Sequence, residues 1–84
     1  MLVQTNIKEL SMGSVATVVG FDKVYGGYIG KLLAKGLTPG TTFTVLNLTL
    51  PGSEIAIMLP EKIVKLSKPE VDALCIEEIK EEEV

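Results

Sequence analysis

Short runs of apolar and β-branched residues, separated by glycine and proline, make up most of this chain. The run from Ser14 to Phe21 alternates with period two, which predicts a half-buried strand whose buried side carries Val15, Thr17, Val19 and Phe21. A second run, 42–50, is the richest in threonine, valine and leucine.

The apolar positions of this second run change sides near Asn47, and such a change predicts a β-bulge or a bend. Pro51 and Gly52 then have the order of a tight turn, with proline fixing one φ and glycine supplying a positive one. Three further strands are predicted over 54–59, 63–66 and 74–79.

Two segments are predicted to be helical. Ser67 and Glu70 have the spacing of a capping box, which predicts a helical turn that ends near Ala73. The segment from Tyr25 to Lys35 has helical spacing at five apolar positions: Tyr25, Tyr28, Ile29, Leu32 and Leu33. Of these, Ile29, Leu32 and Leu33 are predicted to face the sheet.

Gly36 is placed to end this helix in a Schellman motif, with Leu37 packing on Leu32. The entry is weaker, because Gly26, Gly27 and Gly30 each cost about 1 kcal/mol of helix stability relative to alanine. Two interpretations of these glycines are that they allow close packing of the helix and that they allow hinge motion.

These elements predict an all-β fold: a small barrel of about five strands with one short helix and a helical turn. The length of 84 residues predicts a single domain, 1–84. There is no apolar run of the roughly 18 residues that a membrane helix needs. With one cysteine there is no internal disulfide, so we expect a soluble, cytoplasmic protein, monomeric or weakly self-associating.

The charge of the chain is uneven. The formal net charge is −3, and glutamate dominates the carboxyl-terminal end, so residues 80–84 are predicted to be an acidic, frayed tail. All eight basic residues are lysines, and they form no obvious cluster. Nucleic-acid binding is therefore not expected.

Residues suited to catalysis are scarce. The chain has no histidine, so the usual general base is absent, and Cys75 has no partner to activate it. Cys75 is instead predicted to pack in the core. Cys75 and the methionines are not spaced as a metal site, and none is predicted. The glycine-rich run 26–31 lacks the spacing of a phosphate-binding loop.

The run 31–41, with Gly36-Leu37-Thr38-Pro39-Gly40 at its centre, resembles the FeoA family of ferrous iron transport protein A domains. Leu10-Ser11-Met12-Gly13 and the segment 63–73 resemble the same family, so the likeness covers about residues 7–79. The resemblance implies an SH3-like barrel and a non-enzymatic accessory role beside the cytosolic part of the ferrous iron permease, FeoB. It also links the domain to ferrous iron and to transition-metal binding.

A docking surface is predicted on the helix, at Tyr25, Tyr28, Lys31 and Lys35, because aromatic and lysine side chains there are not needed for any chemistry. An ordinary solvated helix is the alternative. Two other functions remain open at this point. One is an RNA-binding module similar to KOW barrels, suggested by the strand 13–20 and the glycines that follow it, and the other is a metal-responsive SH3-like regulatory domain.

Overall fold

The computed structural model describes residues 2–79, which form an antiparallel sheet, two short α-helices and three 3-10 turns. The strands are β1 (Leu2–Thr5), β2 (Val15–Phe21), β3 (Thr42–Asn47), β4 (Ile55–Met58), β5 (Ile63–Leu66) and β6 (Leu74–Ile79). The helices are α1 (Ile29–Ala34) and α2 (Lys68–Ala73), and the 3-10 turns are Ile7–Glu9, Lys23–Tyr28 and Pro51–Ser53.

The strand order in the sheet is β1-β6-β2-β3-β4-β5. Strands β2 to β5 follow each other as antiparallel neighbours, and β6 returns to lie between β1 and β2. The predicted fold class, a small mostly-β domain of the SH3-like kind, is confirmed. The described chain has six strands rather than the predicted five. The additional strand is β1, whose four residues gave no strand prediction.

Strand boundaries follow the predictions closely in the second half of the chain. Both β5 and β6 have the predicted bounds, and β4 lies within the predicted 54–59. The bulge predicted near Asn47 is confirmed by a register shift between Val45 and Asn47, where β3 ends. Gly52 has the predicted positive φ, 77°.

The predicted buried side of β2 is wrong. Ala16 and Val18 are fully buried, whereas Val19 is 43% exposed and Val15 and Thr17 are half-buried. A register shift between Val18 and Gly20 explains this, because it returns Phe21 to the core side, opposite Leu74. An apolar run with such a bulge has no single parity, so alternation alone does not identify its buried face.

Among the residues whose side chains the structure describes, 5–79, sixteen buried apolar residues form the core, drawn from the sheet, both helices and the turns. The largest fully buried side chains are Phe43, Ile7, Leu32, Leu37, Ile57, Leu66, Ile76, Val18, Val45 and Val71. Cys75 is not among them. It is half-buried on β6, where its neighbours Leu74 and Ile76 take the core-facing positions, so the prediction of a core cysteine is wrong.

The helix predicted over 25–35 is α-helical only from Ile29. Its first part is a 3-10 turn that is interrupted at Tyr25, with φ −104° and ψ 35°. The end is confirmed as a Schellman motif: Leu37 N–H donates to the Leu32 carbonyl and Gly36 N–H to the Leu33 carbonyl, each at 3.0 Å. Gly36 has a φ of 94°, as the motif requires.

Two further predictions concern Leu33 and the carboxyl-terminal tail. Leu33 was predicted to face the sheet but is 43% exposed, since only Leu32 of α1 is buried. The predicted acidic tail, 80–84, lies outside the described residues. Among residues 2–79, no helix is long and apolar enough to cross a membrane.

Candidate docking surface

The four residues predicted to dock a partner lie on one continuous segment. Tyr25 and Tyr28 belong to the 3-10 turn, Lys31 to α1, and Lys35 caps the end of α1. Asp22 begins the segment, because its carboxylate accepts the N–H of Val24 at 3.0 Å. The structure therefore presents these residues from a turn and a short helix rather than from one regular helix.

Both tyrosines are half-buried and pack against the core. Each ring therefore contributes to the fold with one part of its surface and offers the rest to solvent. Lys31 is exposed, and its Nζ lies 5.2 Å from the centroid of the Tyr28 ring. This is a cation–π contact, which holds an aromatic ring and an ammonium together at the surface.

Lys35 has a different environment. Its Nζ donates to the backbone carbonyl of Lys65 at 2.8 Å and to Oε1 of Glu70 at 2.9 Å. The same amine lies 2.7 Å from the other carboxylate oxygen of Glu70. Lys35 thus connects the end of α1 to β5 and α2, and its docking role stays a prediction.

Glu70 is the one buried charged residue of the described chain. Its Oε1 also accepts the Ser67 N–H at 3.0 Å and the Ser67 hydroxyl at 2.8 Å, which confirms the predicted capping box. Burial raises the pKa of the Glu70 carboxyl, but the hydrogen bonds from Lys35 and Ser67 outweigh it, so the pKa lies below its ordinary value. Glu70 is therefore ionised at neutral pH and fixes Lys35 in place.

Sequence reasoning missed the most exposed large apolar side chain of this segment. Val24 is 84% exposed, one residue before Tyr25. Val24 immediately precedes the predicted helix 25–35, so the predicted docking surface does not include it. Asp22 is the sequence signal for it, because a capping aspartate at this position starts the helical segment at Lys23 and so includes Val24.

Two shallow hollows lie beside the turn between β4 and β5 and share Leu59 and Pro60. One has a volume of about 240 Å³ and is lined by Gly36, Thr41, Leu59, Pro60, Glu61 and Lys62. The other, of about 230 Å³, is lined by Thr42, Phe43, Thr44, Met58, Leu59 and Pro60. None of the predicted docking residues lines either hollow.

Metal-ligating side chains are dispersed over the described part of the chain. Within residues 2–79, no three histidine, cysteine, aspartate or glutamate residues lie together in a way that could hold a metal ion. That the domain holds no tight metal site stays a prediction.

Comparison with known proteins agrees with the resemblance drawn from the residues. The model of the FeoA domain matches residues 5–78. A crystal structure described as that of an iron uptake regulatory protein, FeoA, is similar to this fold with a TM-score of 0.73 and 25% sequence identity. The alignment covers 94% of this chain and 99% of that one. No curated protein matches the chain in sequence.

Proposed function

The chain belongs to the FeoA family, and from this membership we propose that it is a non-enzymatic accessory protein that binds the cytosolic part of the ferrous iron permease FeoB. The observation that carries the proposal is the family match over residues 5–78, almost the whole domain. It supports a role in ferrous iron transport. We further propose that its partner is the permease and that the two meet in the cytoplasm.

An accessory role fits the residues available. The chain has no histidine to serve as a general base, and its single cysteine lies half-buried on β6. Ferrous iron is the cargo of the transport system in this proposal, rather than a resident cofactor of the domain. The domain then works through its surface.

We assign the docking surface to Val24, Tyr25, Tyr28 and Lys31. Val24 supplies exposed apolar area, and the tyrosines supply aromatic area that packing has already partly ordered. Lys31 adds a charge that affects mainly the rate of association. Lys35, which is partly exposed, supports this surface through its contacts with Glu70 and the Lys65 carbonyl.

The test is titration of the full chain with the purified cytosolic domain of the permease. Val24→Asp is expected to weaken binding at least tenfold, because a carboxylate replaces exposed apolar contact area. Met12→Asp is the matched control, since Met12 is also a large exposed apolar residue (67%) and lies on a different turn. If Val24→Asp and Met12→Asp bind the permease domain equally well, the docking surface does not include Val24.

The tyrosines are tested by the double substitution Tyr25→Ala/Tyr28→Ala, which should cost about 1–3 kcal/mol of binding if either ring is a hot spot. Because both rings pack on the core, the measurement needs a urea melt of the same variant. Lys31→Glu should mostly slow association at low salt. If folded variants bind the permease domain like the parent, the proposed surface is wrong.

A further inference from the structure

Strand β5 forms one edge of the sheet. Its neighbour is β4, with Met58 opposite Ile63 and Ala56 opposite Lys65. At the start of this pair, Leu59 N–H donates to the Lys62 carbonyl at 2.8 Å. Hydrogen-bonded pairs alternate along an antiparallel ladder, so the backbone groups of Ile63 and Lys65 point away from β4, toward the open edge.

A side-chain contact supports this direction. The Lys65 carbonyl accepts the Lys35 amine at 2.8 Å, which requires that carbonyl to point out of the sheet. Within residues 2–79, the N–H and carbonyl of Ile63 and the N–H of Lys65 have no hydrogen-bond partner. The edge therefore offers three backbone groups to an added strand. The fourth group, the Lys65 carbonyl, already accepts a hydrogen bond from Lys35.

The side chains around this edge are apolar at its centre and basic on both sides. Ile63 is 63% exposed, beside Met58 at 44%. Lys65 is exposed on the same face as Ile63. Lys62 runs along the other face, over the end of α1, where a Cβ on Gly36 would lie 3.5 Å from its Cε.

The lysines of this edge have no ion-pair partner in the described part of the chain, although Glu61 is the next residue to Lys62 and lines the same hollow. Neither Lys62 nor Lys65 forms an ion pair with any residue between 2 and 79. Lys68, the first residue of α2, is exposed and likewise without an ion pair in that part of the chain. An extended segment with carboxylates opposite the lysines and an apolar residue opposite Ile63 would match this edge in both charge and backbone hydrogen bonding.

We propose that the β5 edge binds an acidic, extended peptide segment of a partner protein by strand addition. The peptide runs antiparallel to β5, pairs its backbone with Ile63, and places carboxylates near Lys62 and Lys65. This surface is separate from the docking surface at Val24 to Lys31, and the inference does not depend on the iron-transport role. The competing explanation is that the lysines keep other strands away from the edge.

The probe is a synthetic peptide, acetyl-Thr-Glu-Val-Val-Glu-Gly-amide, whose fourth residue pairs with Ile63 in this register. Binding is followed by backbone amide shifts of the full chain as peptide is added to millimolar concentration. We expect saturable shifts concentrated at residues 62–66. The same peptide with lysine in place of both glutamates should bind at least tenfold more weakly.

Backbone methylation of the probe separates strand addition from simple charge attraction. Methylation of the nitrogen of the fourth residue removes the donor to the Ile63 carbonyl and should abolish the shifts at 62–66. Methylation of the third residue is the matched control, because its N–H points away from β5 and its loss should be tolerated. These variants leave the protein itself unchanged.

A protein variant completes the test. Lys62→Glu/Lys65→Glu should weaken binding of the acidic probe at least tenfold and favour the lysine-containing one, while Lys23→Glu, an exposed lysine away from β5, should not. Three results would overturn the proposal: no saturable shift, shifts outside β5, or equal effects of the two methylations. The first would support edge protection by the lysines, and the last would reduce the contact to non-specific charge attraction.

Discussion

Helix α2 and the 3-10 turn Lys23–Tyr28 contact each other but are stabilised in different ways. In α2, three of six residues are buried, Glu70, Val71 and Ala73, and a capping box fixes the first turn. In the 3-10 turn no residue is fully buried, and Tyr25 breaks the helical geometry. Both elements begin with a side-chain cap, Ser67 in α2 and Asp22 in the 3-10 turn, so the regular geometry of α2 follows its greater side-chain burial rather than capping or helical spacing.

The glycines show the same difference. A Cβ at Gly26, Gly27 or Gly30 would meet no atom within 4 Å. The interpretation that these glycines allow close packing is therefore wrong. Gly36, at the other end of α1, has the positive φ of a Schellman motif, and a Cβ built on it would lie 3.4 Å from Leu59 Cδ1 and 3.5 Å from Lys62 Cε. The carboxyl-terminal end of the segment is thus fixed by the backbone hydrogen bonds of the Schellman motif, whereas the glycines at its entry have open space around them.

The largest effect is expected where α1 is tied to α2. Lys35→Met leaves the buried carboxylate of Glu70 without its cation and should cost about 1–3 kcal/mol of unfolding free energy. Lys31→Met is the matched control, one helical turn earlier and exposed, and should cost little. Urea denaturation measures both. Similar losses would mean that the Lys35–Glu70 pair contributes no more than a surface charge.

The next effect concerns the end of α1. Gly36→Ala forces a left-handed conformation on a residue with a Cβ and should destabilise the domain by about 1–2 kcal/mol. The thermal or urea midpoint reports it. If Gly36→Ala is neutral, the Schellman turn is easily replaced by another end of the helix.

Acid should destabilise the folded domain through Glu70. The pKa of Glu70 is lowered on folding, so its contribution to stability is complete above its ordinary value of 4.5 and is lost as the pH falls through the lower, folded value. Unfolding free energy measured against pH should therefore fall in this window for the parent and less steeply for Glu70→Gln. Parallel curves would show that Glu70 does not carry the acid sensitivity.

The smallest effect is expected at the entry of α1. Gly30→Ala adds a side chain into open space at a helical position and should stabilise the domain by about 0.5–1 kcal/mol, through loss of backbone freedom in the unfolded chain. The same substitution thus has opposite signs at Gly30 and Gly36. A loss of stability at Gly30 would reveal a contact or strain that the open surroundings do not suggest.

The sequence predicted most reliably the elements whose signals are local. The capping box at Ser67 and Glu70, the Schellman turn at Gly36 and the bulge near Asn47 all depend on residues a few positions apart, and all are present. What it did not predict depends on distant partners. Strand β1 exists through pairing with β6, and the buried face of β2 depends on a bulge opposite β6.

The candidate site was predicted only in part for the same reason. Tyr25, Tyr28 and Lys31 are at least partly accessible, as a docking surface requires. The partners of Lys35 are Lys65 and Glu70, which are 30 and 35 residues further along the chain. No spacing within 25–35 could show that this lysine was already engaged.

The position of β6 has a consequence for how the protein is made. Its pairing of Leu2 with Ile79 joins residues that leave the ribosome at very different times. A nascent chain that ends before residue 74 has β2 with an unpaired edge, since β6 is the strand that covers it. The sheet can therefore be completed only after residues 74–79 emerge, and until then the edge of β2 that β6 covers is open to pairing with other chains.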